Sequence, residues 1–168
     1  LRTPPDWPLR TEARDDLVRA GAGPAPVLMN CSGKHAAMLA TCVEQGFPLD
    51  DYRAADHPLQ RHLRGTLERM SGERVAAVGV DGCGAPVLAI SLVALARAFS
   101  GATVGAEGSP ERLVADAMRA HPEYVGGTDH PTTAFMAGVP GLLLKDGAEG
   151  VLAGSLADGR AFALKVDD

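Results

Sequence analysis

The stretch Asn30-Cys31-Ser32-Gly33-Lys34-His35 places a thiol, a hydroxyl, an amine and an imidazole within six residues. It follows the apolar run Pro26-Val27-Leu28-Met29 and leads into Ala36-Ala37-Met38-Leu39-Ala40. This pattern predicts a loop turning into a helix over residues 34–45. At a helix start the first backbone N–H groups lack intrahelical partners and the dipole favours negative charge. A cysteine in that field is more easily held as thiolate. Lys34 lies one helical turn beyond Cys31, so both can face one point. A second cysteine, Cys83, lies in Asp81-Gly82-Cys83-Gly84-Ala85-Pro86, a Gly-rich loop of the kind that carries functional groups. Two thiolates with Lys34 or His35 would complete a site suited to zinc, with the lysine ligating only after losing its proton. The same cysteines also read as two small buried side chains, since no close pair of the zinc-finger kind is present.

Other chemistry is open to these residues. Cys31 can be read as a nucleophile with His35, four residues on, as its base, although no third orienting group is identifiable. Gly33-Lys34 is not a phosphate loop, because Leu28 stands where a glycine is needed and His35 where Ser or Thr is needed. Asp81 can hold a substrate amine, orient a lysine, or cap the turn that follows it. Lys145, in Lys145-Asp146-Gly147-Ala148-Glu149-Gly150, ends an apolar strand. Partial burial there would lower its pKa toward that of a general base; the alternative is a solvated turn lysine. Cys42 falls on the apolar face of its helix and is expected in the core. His57 and His62 are expected at the surface, and Asp129 and His130 in a Gly-rich loop.

The elements that position these groups read as follows. A helix runs from Thr11 to about residue 20, and Asp56 caps another that carries Pro58 in its first turn and ends at Ser71-Gly72. Residues 74–80 are a buried strand, 87–99 an apolar helix and 100–108 a small-residue loop. Ser109-Pro110 opens a helix to about residue 120, and 132–137 form one or two further turns. Residues 141–145, 150–156 and 160–166 are strands, the last two joined by the hairpin signal Ala157-Asp158-Gly159. The fold class is α+β: helices with an internal strand, then a C-terminal antiparallel unit. The 168 residues are the size of one domain. A net charge of −5 argues against nucleic acid or an anionic membrane as partner, and no apolar run is long enough for a membrane span. An odd count of three cysteines suits a reducing cytoplasm better than a secreted disulfide scaffold.

Taken together, the first stretch above, His57-Pro58-Leu59-Gln60, Val80-Asp81-Gly82-Cys83-Gly84-Ala85-Pro86, His121-Pro122-Glu123 and Lys145-Asp146-Gly147-Ala148-Glu149-Gly150 resemble the L-asparaginase II family of the rhizobial type, in order and spacing along nearly the whole chain. The resemblance implies a fold similar to serine β-lactamases and glutaminases, with Lys145-Asp146-Gly147 as its lysine-x-glycine strand element. It implies zinc held by Cys31, Lys34 and Cys83, substrate held by Asp81 with Asn30 and His35, and Lys145 paired with a catalytic serine. The reaction implied is hydrolysis of the small-molecule amide L-asparagine to L-aspartate and ammonia by a homodimer. The family's nucleophile lies in a Ser-x-x-Lys element, and none occurs here: Ser32 and Lys34 are only two apart. The expectation is therefore a fragment, one domain over 1–168, with the nucleophile-bearing N-terminal part missing and the isolated chain inactive. The competing readings are a cysteine-dependent amidase using Cys31 and His35, and a non-enzymatic zinc-binding module.

Overall fold

Several helices begin at side chains that satisfy a backbone N–H the helix cannot bond itself. In the computed structural model, which describes residues 1–167, Ser91 accepts from Ala94 N, Ser109 from Arg112 N and His130 from Thr132 N. The helices are α1 (Thr11–Arg19), α2 (Ser32–Gln45), α3 (Pro58–Ser71), α4 (Leu92–Val104), α5 (Pro110–Ala120), α6 (Pro122–Val125) and α7 (Pro131–Gly138). The strands are β1 (Ala77–Val80), β2 (Pro86–Ala89), β3 (Leu143–Asp146), β4 (Val151–Ser155) and β5 (Ala161–Lys165). The architecture is α+β, as expected. Among the described residues no helix is long and apolar enough to cross a membrane.

The chain forms two compact units. The first comprises Leu1–Gly65 and Ala77–Ala89. It contains α1, α2, the first part of α3 and the antiparallel ribbon β1–β2, whose register pairs Ala77 with Ala89 and Val80 with Pro86. Cys42, Tyr52 and Leu59 form one core cluster there, and Met29, Cys83 and Ala85 a second, with Met38 packing against both. Cys42 is fully buried, as its place on α2 predicts. The second unit comprises Thr66–Ala76 and the chain from Ile90 onwards. Its antiparallel sheet has the order β3-β4-β5, and α4 packs on β4 and β5. Leu142, Leu143, Leu144, Ala115 and Met136 form its core. The late strands fall where the sequence places them, and Gly159 (φ 87°) makes the turn between β4 and β5.

Four expectations are corrected. Residues 87–89 belong to a strand, not to an apolar helix over 87–99, and α4 starts at Leu92 and runs on to Val104 through the expected loop. The reason is local. Asp81 N donates to Ala85 O at 2.8 Å and Gly84 N to Asp81 O at 2.8 Å, closing a turn that folds the chain back on β1. Gly84 has φ 79°, which glycine reaches without strain. Strand β1 is exposed along its length rather than buried, because a two-stranded ribbon gives its side chains little to pack against. His57, not Asp56, caps α3: its Nδ1 accepts from Leu59 N at 3.1 Å. His57 is also buried, with Nε2 against Pro48 O at 3.0 Å, rather than at the surface, whereas His62 is exposed.

The corrected start of α4 carries a prediction. Ser91 both caps α4 and donates through Oγ to Glu73 Oε2 at 2.7 Å, while Ser91 N donates to Glu73 Oε1 at 2.9 Å. Ser91→Ala should cost about 1 kcal/mol, read as a lower midpoint in chemical denaturation. An unchanged midpoint would deny the cap any energetic role.

Candidate metal centre

Cys31 closes the loop ahead of α2 as its N-cap residue, and Lys34 follows in the first turn. The β1–β2 turn supplies Asp81 and Cys83. Folding of the first unit brings these two segments together: the Cys31 and Cys83 sulfurs and an Asp81 carboxylate oxygen all lie within 4.8 Å of one another. Lys34 Nζ donates to Asp81 Oδ2 at 2.8 Å, and Cys83 Sγ lies 3.4 Å from the same oxygen. Cys83 therefore sits in a turn that closes a ribbon, not in a loop that opens a helix. The cluster is graded in exposure. Cys83 is fully buried among Met29 and Ala85, Cys31 is partly buried, and the Lys34 side chain keeps 41% of its surface.

The electrostatics follow from this packing. The hydrogen bond from Lys34 holds the Asp81 carboxyl below its usual range against the opposing effect of burial, with help from Cys83 and Gly82 N. Burial pulls the Lys34 ammonium down, but its bonds to Asp81 and Cys83 outweigh this and leave it above its ordinary value. Burial pushes the Cys31 thiol up, against the pull of Lys34, and Cys83 and Asp81 add to the rise. Contrary to the expectation of a ready thiolate at this helix start, burial holds the Cys31 thiol above its usual range despite the nearby Lys34. Lys34 and Asp81 form an ammonium–carboxylate pair beside the two cysteines.

The donor set fits a zinc ion. Thiolate ligands of a tetrahedral zinc lie about 3.8 Å apart, inside the span these atoms already occupy. The geometry offers two completions. Asp81 joins the two sulfurs directly, whereas Lys34 joins them only after giving up its proton and its bond to Asp81. Of the roles the sequence offers Asp81, the structure shows it paired with a lysine, Lys34, and also places it within the donor cluster.

The remaining candidates fall as follows. Asn30 is exposed beside Cys31. His35 is fully buried, with Nδ1 2.6 Å from Tyr52 Oη and Nε2 buried without a hydrogen-bond partner. Neither ring nitrogen is bonded to the Cys31 thiol, so the thiol and imidazole do not form the hydrogen-bonded pair that a cysteine nucleophile would use. Lys145 belongs to the second unit. It is exposed at the end of β3, with Nζ bonded to Asp146 O at 2.6 Å and Asp146 Oδ1 at 3.0 Å. Thr132 Oγ1 donates to the same carboxylate oxygen at 3.0 Å. These bonds hold the Asp146 carboxyl below its usual range although burial opposes them. His130 caps α7, and Asp129 adopts φ 57° in the loop before it.

Two residues that sequence reasoning passed over lie behind the cluster, one against Cys83 and one against the neighbour of Lys34. Arg53 donates from a guanidinium nitrogen to Cys83 O at 3.1 Å, and Tyr52 bonds His35. The acidic turn Asp50-Asp51-Tyr52-Arg53 reads in sequence as an ordinary loop, and no spacing connects it to either cysteine.

No curated protein matches this chain. The model of the L-asparaginase II family matches residues 1–168, the whole span over which the cysteine-bearing segments and the late strands are distributed, and the chain belongs to that family.

Proposed function

We propose that this chain is the metal-holding and substrate-positioning part of an amidohydrolase that converts L-asparagine and water to L-aspartate and ammonia. The observation that carries the reading is the convergence of Cys31, Cys83, Asp81 and Lys34 in a chain matched throughout by the L-asparaginase II family. Cys31, Lys34 and Cys83 would hold zinc, with Asp81 beside them. The ion supplies a fixed positive charge and ties the loop before α2 to the β1–β2 turn.

The chemistry asked of the protein is acyl transfer. A serine hydroxyl outside these 168 residues attacks the side-chain amide carbon of asparagine, the amide nitrogen leaves as ammonia, and water then releases aspartate from the acyl-enzyme. Lys145 takes the serine's proton and returns it to the leaving nitrogen, in the lysine-x-glycine position of a β-lactamase- or glutaminase-like fold. Asp81 holds the substrate's ammonium through its ionised carboxylate, and Asn30 and His35 contribute polar contacts beside it. The enzyme works as a homodimer in the cytoplasm.

The test is ammonia release from asparagine by the chain alone and by the chain extended with whatever its gene encodes upstream. The extended protein should be active, and Lys145→Met should lower its kcat by about 100-fold or more. Activity in the 168-residue chain alone, abolished by iodoacetamide at Cys31, would replace the serine reading with a thiol amidase. A correctly folded extended protein with no activity would leave a metal-binding module.

A further inference from the structure

The two segments that carry the metal donors do not set their own separation. Between α2 and α3 the chain turns through Asp51, at φ 52°, into Tyr52-Arg53, and this dipeptide touches both donor segments. Tyr52 is 1% exposed and packs with Cys42 and Leu59. Its Oη lies 2.6 Å from His35 Nδ1, one residue beyond Lys34, with the two rings edge to face at 5.5 Å. Its carbonyl accepts from Gln60 Nε2 at 2.7 Å, which fastens the turn to α3. Arg53 reaches the other segment, donating to Cys83 O at 3.1 Å. A methyl group at Gly84 would overlap the same guanidinium, so Arg53 approaches the turn where only a glycine leaves room.

The Tyr52 hydroxyl has a second neighbour besides His35. Arg2 N donates to Tyr52 Oη at 3.1 Å, and a backbone N–H has no other role there. Tyr52 is thus oriented by a backbone donor on one side and Gln60 on the other, and holds the first turn of α2 through His35.

We infer that Tyr52-Arg53 is a brace between the two donor segments, and that Arg53 positions Cys83 for the metal without ligating it. The inference rests on the zinc reading above. Groups that orient a ligand from behind typically alter metal affinity 10–100-fold when removed, and a hydrogen bond to the backbone of a ligand residue acts in that way.

The experiment uses the full 168-residue chain, titrated with zinc against a chromophoric chelator and, in parallel, loaded with cobalt(II) to record its ligand-field and thiolate charge-transfer bands. Arg53→Met keeps the length of the side chain and removes the donor. Zinc binding should weaken about tenfold or more and the cobalt bands should shift, while Arg53→Lys, which retains a donor, recovers most of the affinity. A stabilising residue with no positioning role would leave the cobalt spectrum unchanged. If Arg53→Met does not fold, Arg53→Leu, which also lacks a donor, is read against the same limits. Wild-type affinity and spectrum in the Arg53 variants, with zinc lost on Cys83→Ser, overturn the brace alone. A wild-type chain that binds no zinc, or a Cys83→Ser chain that binds it fully, overturns the metal reading and the brace with it.

Discussion

Cys83→Ser should lower the zinc affinity of the chain by about two orders of magnitude. Structural zinc sites are bound by roughly 10–16 kcal/mol in all, so losing one of the three donors named here should cost at least about 3 kcal/mol, or about a hundredfold. Cys83 is the donor for which this estimate is safest. It is fully buried against Met29 and Ala85, and a serine hydroxyl in its place keeps its proton at neutral pH. Cys31→Ser should behave in the same way. Cys42→Ser should not, because Cys42 packs against Tyr52 and Leu59 in a separate cluster. Zinc content after dialysis, with a chelator competition for affinity, distinguishes the three variants. Equal zinc in all of them would mean that the two sulfurs near Asp81 share no ion.

The second large effect is on stability. Leu59→Ala should cost about 2–5 kcal/mol, the sum of lost apolar transfer and the cavity left behind. Leu59 is fully buried and packs with Cys42 and Tyr52 at the start of α3. That loss is a large share of the 5–15 kcal/mol available to a typical domain, so the midpoint of urea unfolding should fall steeply. Zinc at a hundred times its dissociation constant would return about 2.7 kcal/mol by mass action. A variant that unfolds like wild type would show that the Tyr52 cluster does not hold the first unit together. The effect on zinc itself should be smaller than that of Cys83→Ser, since no donor is removed.

Much of this architecture is written in local signals. Gly46 at φ 65° ends α2 where the sequence places the stop, Ser109-Pro110 opens α5, and the three late strands lie within a residue or two of their expected bounds. The difference at residues 87–99 has a plain cause. The stretch is apolar almost throughout, so a strand and a helix look alike by periodicity. Ser91 is the one polar residue that marks the helix start, and the turn at Gly84 depends on a backbone conformation that composition does not reveal. His57 was misplaced for a related reason: its partners, Pro48 O and Leu59 N, are backbone atoms that no side-chain pattern shows. The candidate site was legible in part. Cys31 and Lys34 are a helical turn apart and pair by spacing, whereas Cys83 lies far along the chain and joins them on residue type and its Gly-rich loop, with the family resemblance in support. The place of Asp81 within the donor cluster, and the contacts of Arg53 and Tyr52, depend on tertiary folding alone.

The ribbon that carries Asp81 and Cys83 also bears on how an ion would enter. Strand β1 has no buried residue, and Val80 and Val87 lie open on the pair. Lifting the ribbon's tip therefore uncovers little beyond Cys83 and Ala85, and demands far less free energy than melting the helices around Leu59. Amide exchange in the 81–85 turn should therefore be faster than in the helices around Leu59, and equal protection in both would show that the ribbon opens only when the first unit unfolds.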